Sequence, residues 1–121
     1  FPYTHLVSNL YALDRSLGLI LDEGLQNVFS RHEEVADYCK SRGDDIGLSL
    51  YPAEDISSPT VTAFEVERAK KIQKEIQNRS DILLATSLGD LEDDIIRVGH
   101  MGYNAKIEKV EEVMDALEMV V

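Results

Sequence analysis

Short apolar segments set among stretches of helical period predict an α+β fold, a small antiparallel sheet with helices packed on one face. Two observations carry this. The elements read in the order helix, helix, strand, strand, helix, strand, strand, helix, and such runs favour antiparallel pairing. Pro52 and Pro59 bracket a polar loop between the first two strands, as turns in such a sheet require.

Each element has its own signal. Leu6, Leu10, Leu13, Leu17 and Ile20 recur at helical spacing and predict a long amphipathic helix over residues 4–23. Gly24 closes it, since glycine reaches the left-handed conformation of a helix stop. Leu25, Val28, Phe29, His32, Val35, Ala36 and Cys39 share one face of a second helix that ends near Arg42-Gly43. Two helices joined so tightly read as a connector, so residues 1–43 are expected to link one domain to another. Residues 44–121 are expected to form the sheet-and-helix body.

Within that body the period changes to two. Residues 48–51 alternate as a strand, and Val61, Ala63 and either Phe64 or Val66 continue the pattern over 60–66. A basic helix over 67–78 turns Ala69, Ile72 and Ile76 inward and Lys70, Lys71 and Lys74 mostly outward. Residues 82–85 make a third strand, and an acidic turn over 90–94 leads to a fourth. A last helix over 105–119, with Asn104 as its N-cap, buries Ile107, Val110, Met114 and Leu117.

Composition bounds the function. With 121 residues the chain is one domain with a modest core, and 44% hydrophobic residues argue against disorder. A net charge of −11 argues against nucleic acid, whose phosphates require clustered Lys and Arg. No apolar run is long enough for a membrane span, and no charged, apolar leader opens the sequence. The start Phe1-Pro2-Tyr3 reads as a cut within a longer protein, although processing gives the same start. Cys39 is the single cysteine, which excludes an internal disulfide and fits a reducing cytoplasm. Its place on the apolar helix side makes it a small buried hydrophobe rather than a nucleophile.

The residue with most chemical content is Arg97, in the run Ile-Ile-Arg-Val-Gly-His-Met-Gly-Tyr-Asn of residues 95–104. A guanidinium within an apolar strand is costly unless an anion meets it, and its planar fork matches a carboxylate. The plainer alternative is an edge strand whose arginine faces water or pairs with a neighbouring acid. Other chemistries are incomplete. His32-Glu33-Glu34-Val35-Ala36 begins like a zinc-protease helix, but Ala36 stands where the second histidine belongs. No metal site is expected. Gly99-His100-Met101-Gly102 resembles an RNA-clamping loop, yet the acidic surround favours a turn that needs glycine for its geometry. No lysine among Lys40, Lys70, Lys71, Lys74, Lys106 and Lys109 lies in an apolar stretch suited to a covalent anchor.

Four stretches taken together resemble one family. They are Asn9-Leu10-Tyr11-Ala12-Leu13-Asp14 with Glu23-Gly24-Leu25, Arg31-His32, Ser58-Pro59-Thr60-Val61-Thr62-Ala63, and the run from Arg97 to Ala105. In order and spacing they resemble the C-terminal small domain of class V pyridoxal-phosphate aminotransferases, in the alanine–glyoxylate and serine–pyruvate group. The resemblance implies that Arg97 binds the α-carboxylate of an amino-acid or 2-oxo-acid substrate in the cleft between two domains. It implies a homodimer. It also implies that the cofactor, pyridoxal 5'-phosphate, and its lysine belong to a large domain preceding Phe1, so that these residues alone are inactive. One departure concerns residues 84–89, which keep a single glycine, Gly89, where the family commonly pairs two. The competing reading is a stand-alone α+β module for ligand binding or dimerisation, with Arg97 sensing an amino acid.

Overall fold

The computed structural model describes residues 3–121, so the Phe1-Pro2 start lies outside the described residues. The chain divides into two units, one ending at Ser30 and one comprising Arg31–Val121. The first unit is helical. Its α1 (Val7–Glu23) begins three residues later than its period predicts, because Leu6 at the N-cap has no side chain able to cap. Gly24 ends it at φ +86°, donating its N–H to the Ile20 carbonyl. No residue of α1 is buried.

The next helix, α2 (Leu25–Asp45), contains the boundary between the units and runs past the expected stop at Gly43. Gly43 serves a close approach instead: a Cβ there would overlap the ring of Phe64. The chain turns at Gly47, whose φ is +80°. Leu25 and Phe29 of the predicted apolar face are exposed, whereas His32, Val35, Ala36 and Cys39 are buried.

Four strands follow: β1 (Ser49–Leu50), β2 (Val61–Glu65), β3 (Ala85–Thr86) and β4 (Ile95–Gly99). They form one antiparallel sheet in the order β1-β2-β4-β3. The fold class expected from the sequence is therefore the one observed. Of the apolar run 82–85, only Ala85 enters a strand. Leu84 is buried in the core, and its carbonyl accepts from Gln73 Nε2 at 2.6 Å rather than from a neighbouring strand.

Between β2 and β3 lies α3 (Ala69–Ser80), which buries Ala69, Ile72 and Ile76 as its spacing predicts. Its start is closed from a distance. The Asp93 carbonyl accepts from the Ala69 N–H at 2.8 Å, and Asp93 Oδ1 accepts from the Lys70 N–H at 2.9 Å. The acidic turn thus supplies negative charge where a helix N-terminus favours it. The last helix, α4 (Ile107–Glu118), starts later than predicted, with Lys106 at its N-cap. Asn104 belongs instead to a 3-10 turn, Gly102–Asn104.

Three helices cover one sheet face. Val35 and Cys39 of α2, Ile72 and Ile76 of α3, and Val110, Met114 and Leu117 of α4 close over Phe64, Ile96 and Val98. No described helix is long and apolar enough to cross a membrane.

Gly43→Ala tests the closest of these contacts. Helix propensity alone favours alanine by about 1 kcal/mol, but overlap with Phe64 should reverse the sign and destabilise by about 1–3 kcal/mol. Urea unfolding of both chains reads the outcome directly.

Candidate functional site

The site begins with the alternation of β4. Ile96 and Val98 point into the helix-covered core, and His100, just past the strand, is fully buried on the same side. Arg97 and Gly99 therefore face the other way, onto the sheet surface opposite the core; Ile95 shares that surface and is buried, whereas Gly99 is exposed. The strand is not an edge: it pairs with β2 on one side and β3 on the other. The plainer expectation of an edge-strand arginine is set aside by this pairing.

Arg97 is half-buried, and its contacts are specific. Nε and Nη2 donate to the Thr86 carbonyl of β3 at 3.0 and 2.7 Å. Among the described residues no carboxylate stands within ion-pair distance of it. The guanidinium has five N–H groups, so both Nη1 hydrogens and one on Nη2 remain for another acceptor. A neutral carbonyl orients the group and leaves its charge uncompensated. Directly across on each neighbouring strand stands an alanine, Ala63 on β2 and Ala85 on β3. Neither side chain is long enough to cover the fork.

The turn after β4 is gripped from α2. Arg31 Nη1 donates to the carbonyls of Gly102 and Ala105, both at 2.9 Å. Next to it, His32 Nε2 accepts from the Gly102 N–H at 2.9 Å, which makes Nε2 the unprotonated ring nitrogen. Gly102 has φ +61°, so this turn does require glycine there. Two sequence stretches separated by about seventy residues thus meet at one turn.

Beneath the sheet, His100 Nε2 and Thr62 Oγ1 share a hydrogen bond of 2.8 Å, and the His100 N–H donates to the Thr60 carbonyl at 3.0 Å. Ser58 Oγ accepts from the Thr60 N–H and lies 3.0 Å from its hydroxyl, shaping the entry to β2. Burial, aided by the nearby His32 and Lys40, lowers the pKa of His100 from its ordinary 6.5, against opposing backbone hydrogen bonds. Burial likewise pushes the Cys39 thiol up to about 11, so it is no thiolate nucleophile near neutral pH. Among the described residues no group of three or more His, Cys, Asp or Glu is placed to hold a metal ion.

The lysines lie elsewhere. Lys40 pairs with Asp37 at 2.7 Å and Lys70 with Glu92 at 2.8 Å, while Lys106 and Lys109 sit over the Tyr103 ring at 4.1 and 5.4 Å. Lys71 and Lys74 are exposed. Hydrogen bonding to Glu92 raises the Lys70 pKa, opposite to what a covalent amine requires. Sequence reasoning singled out Arg97 but missed Thr86, Arg31 and His32 as the groups that orient the strand and its turn. Only the Arg31-His32 pair left a trace in the sequence.

No family model matches the chain. A soluble hydrogenase 42 kDa subunit from Anabaena cylindrica is 35% identical over 104 residues, covering 84% of this chain and 27% of that protein. Alanine–glyoxylate aminotransferase from Mus musculus is 32% identical over 119 residues, covering 95% of this chain and 29% of that protein. Among solved structures, an alanine–glyoxylate aminotransferase from Nostoc sp. superposes with a TM-score of 0.94 at 34% identity. That match covers 99% of this chain and 33% of the other. The chain therefore spans about a third or less of the length of the relatives it matches.

The buried histidine gives a prediction. A base whose pKa is lowered by folding is protonated more readily in the unfolded chain, so stability is full above the unfolded value and falls as pH drops below about 6.5. In His100→Gln, which keeps a hydrogen-bonding group without the titration, the fall between about pH 7 and pH 5 should be shallower. Thermal melts across that range compare the two slopes.

Proposed function

The chain belongs to the alanine–glyoxylate aminotransferase family, and on that premise we propose that it is the C-terminal small domain of a pyridoxal-phosphate-dependent aminotransferase. In this reading the full-length enzyme, a homodimer, moves an amino group between an amino acid and a 2-oxo acid. Arg97 takes the substrate α-carboxylate, and the domain closes over the cleft.

The observation that carries the assignment of Arg97 is its uncompensated charge. A half-buried guanidinium held by one backbone carbonyl, with no carboxylate among the described residues at ion-pair distance, is oriented but not neutralised. An incoming carboxylate supplies the missing charge and accepts the remaining N–H groups as a bidentate pair. Such a clamp fixes rotation as well as position, and orientation is what lowers the barrier when a bond at the adjacent carbon must be broken.

The described residues do not fit a covalent cofactor site. Every lysine is exposed, paired with an acid, or stacked on Tyr103. The cofactor, which supplies the electron sink when bound, is accordingly assigned to residues of the full-length enzyme beyond these 121. What this chain contributes is the anchoring of one end of the substrate.

Arg97→Ala in the full-length enzyme should lower kcat/KM for carboxylate substrates by about 10²–10⁴-fold, the cost of two charge-assisted bonds of about 1.5–3 kcal/mol each. Cofactor content, read from the visible spectrum, should be unchanged. Arg97→Lys should recover only part of the loss, since it restores charge but not the fork. Equal loss of cofactor and activity in the alanine variant would count against the clamp.

A further inference from the structure

Gly99 lies two residues beyond Arg97 on the same sheet face, exposed, and the fold gives no reason for it to be glycine. Its backbone is not among the left-handed glycines, which are Gly24, Gly47, Gly89 and Gly102. A Cβ built on it meets no atom within 4 Å. Gly43, by contrast, is required by the Phe64 ring, and Gly102 by its φ of +61°. Glycine weakens a strand and recurs where a ligand or another backbone comes close. Gly99 and Arg97 also line one open cleft of about 520 Å³ that reaches from Val61 and Ala85 of the sheet to Val110, Glu112 and Val113 of α4. That volume falls within the range of small-molecule sites, about 300–1,000 Å³. With Ala63 and Ala85 across from Arg97, three of the smallest residues surround the guanidinium on this face.

We propose that Gly99 is a specificity-determining residue: with Ala63 and Ala85 it forms a floor on which the body of the amino or 2-oxo acid rests once its carboxylate is on Arg97. The inference depends on the carboxylate reading above and adds to it the surface that limits substrate size. The missing side chain at Gly99 is then room kept for the substrate. A bulkier residue there removes that room without disturbing the sheet, since the space it would fill is empty of protein in this chain.

The test uses the full-length enzyme carrying Gly99→Ala or Gly99→Val, with Arg97→Ala measured in parallel. Melting temperature and cofactor spectrum should stay at wild-type values, because a strand tolerates alanine and favours valine. The kcat/KM should fall in the order alanine, valine, by about tenfold or more for valine. The loss should grow with the size of the amino donor. Unchanged kinetics would overturn the proposal, as would a uniform loss across donors accompanied by lower stability or cofactor content, which would mean that protein rather than substrate covers Gly99. The two readings fail separately. If Arg97→Ala leaves carboxylate substrates well used, the clamp falls and the floor with it. If Arg97→Ala is crippling and Gly99→Val is silent, only the floor falls.

Discussion

The register of β4 against β2 is the constraint on which everything else in the body rests. Thr62 stands opposite Val98 and Ala63 opposite Arg97. A slip of one residue would turn the guanidinium into the helix-covered core and push Ile96 and Val98 into water. Burying an unpaired charge costs several kcal/mol and exposing two apolar side chains adds about 1.5–3 kcal/mol each, so the slipped sheet cannot compete. The register is pinned at both ends as well. At one end the His100 N–H donates to the Thr60 carbonyl and its ring bonds Thr62; at the other the Val66 N–H donates to the Asp94 carbonyl. The same alternation that seals the core is what presents Arg97 and Gly99 on the open face.

The way Arg97 is held differs from the ion pairs of the body. Arg42 reaches Asp115 and Glu118, Lys70 reaches Glu92, and Arg79 reaches Glu75. The acids of these pairs are largely exposed, and each pair contributes little. With 23 acidic residues against 12 basic ones, an acid beside Arg97 would have been easy to supply. The residues directly across from it are alanines, and among the described residues its hydrogen-bond partner is a backbone carbonyl. A carbonyl fixes direction at little electrostatic cost to a later ligand, whereas a resident carboxylate would have to be displaced.

What could be read from the sequence follows from how local each cause is. The helical stripes of α3 and α4 are visible because burial repeats every three or four residues along one segment. Arg97 is visible because a single charge in an apolar strand violates the pattern. The failures have distant causes. Leu84 looks like a strand residue until Gln73 takes its carbonyl. Asn104 looks like a cap until Gly102 begins a turn that includes it and displaces the helix start to Ile107. Asp93 looks like one acid among several until α3 is brought against it with a left-handed Arg68 at its N-cap and no side-chain cap of its own. The grip of Arg31 on Gly102 and Ala105 spans more than seventy residues and has no local signal.

That grip also bears on how the site can work. Arg31 and His32 lie on consecutive positions of α2, and both bond the turn that begins three residues after Gly99. Gly102 gives its carbonyl to one and its N–H to the other, so the turn is fixed to the helix from both sides of a single residue. The turn that follows β4 is therefore tied to α2 within this body by three hydrogen bonds. A displacement of that part of α2 that keeps these bonds carries the turn with it, next to the strand that bears Arg97. On the proposed role of Arg97, placing the anchoring guanidinium and moving this part of α2 would be coupled, because the same short segment joins strand to helix.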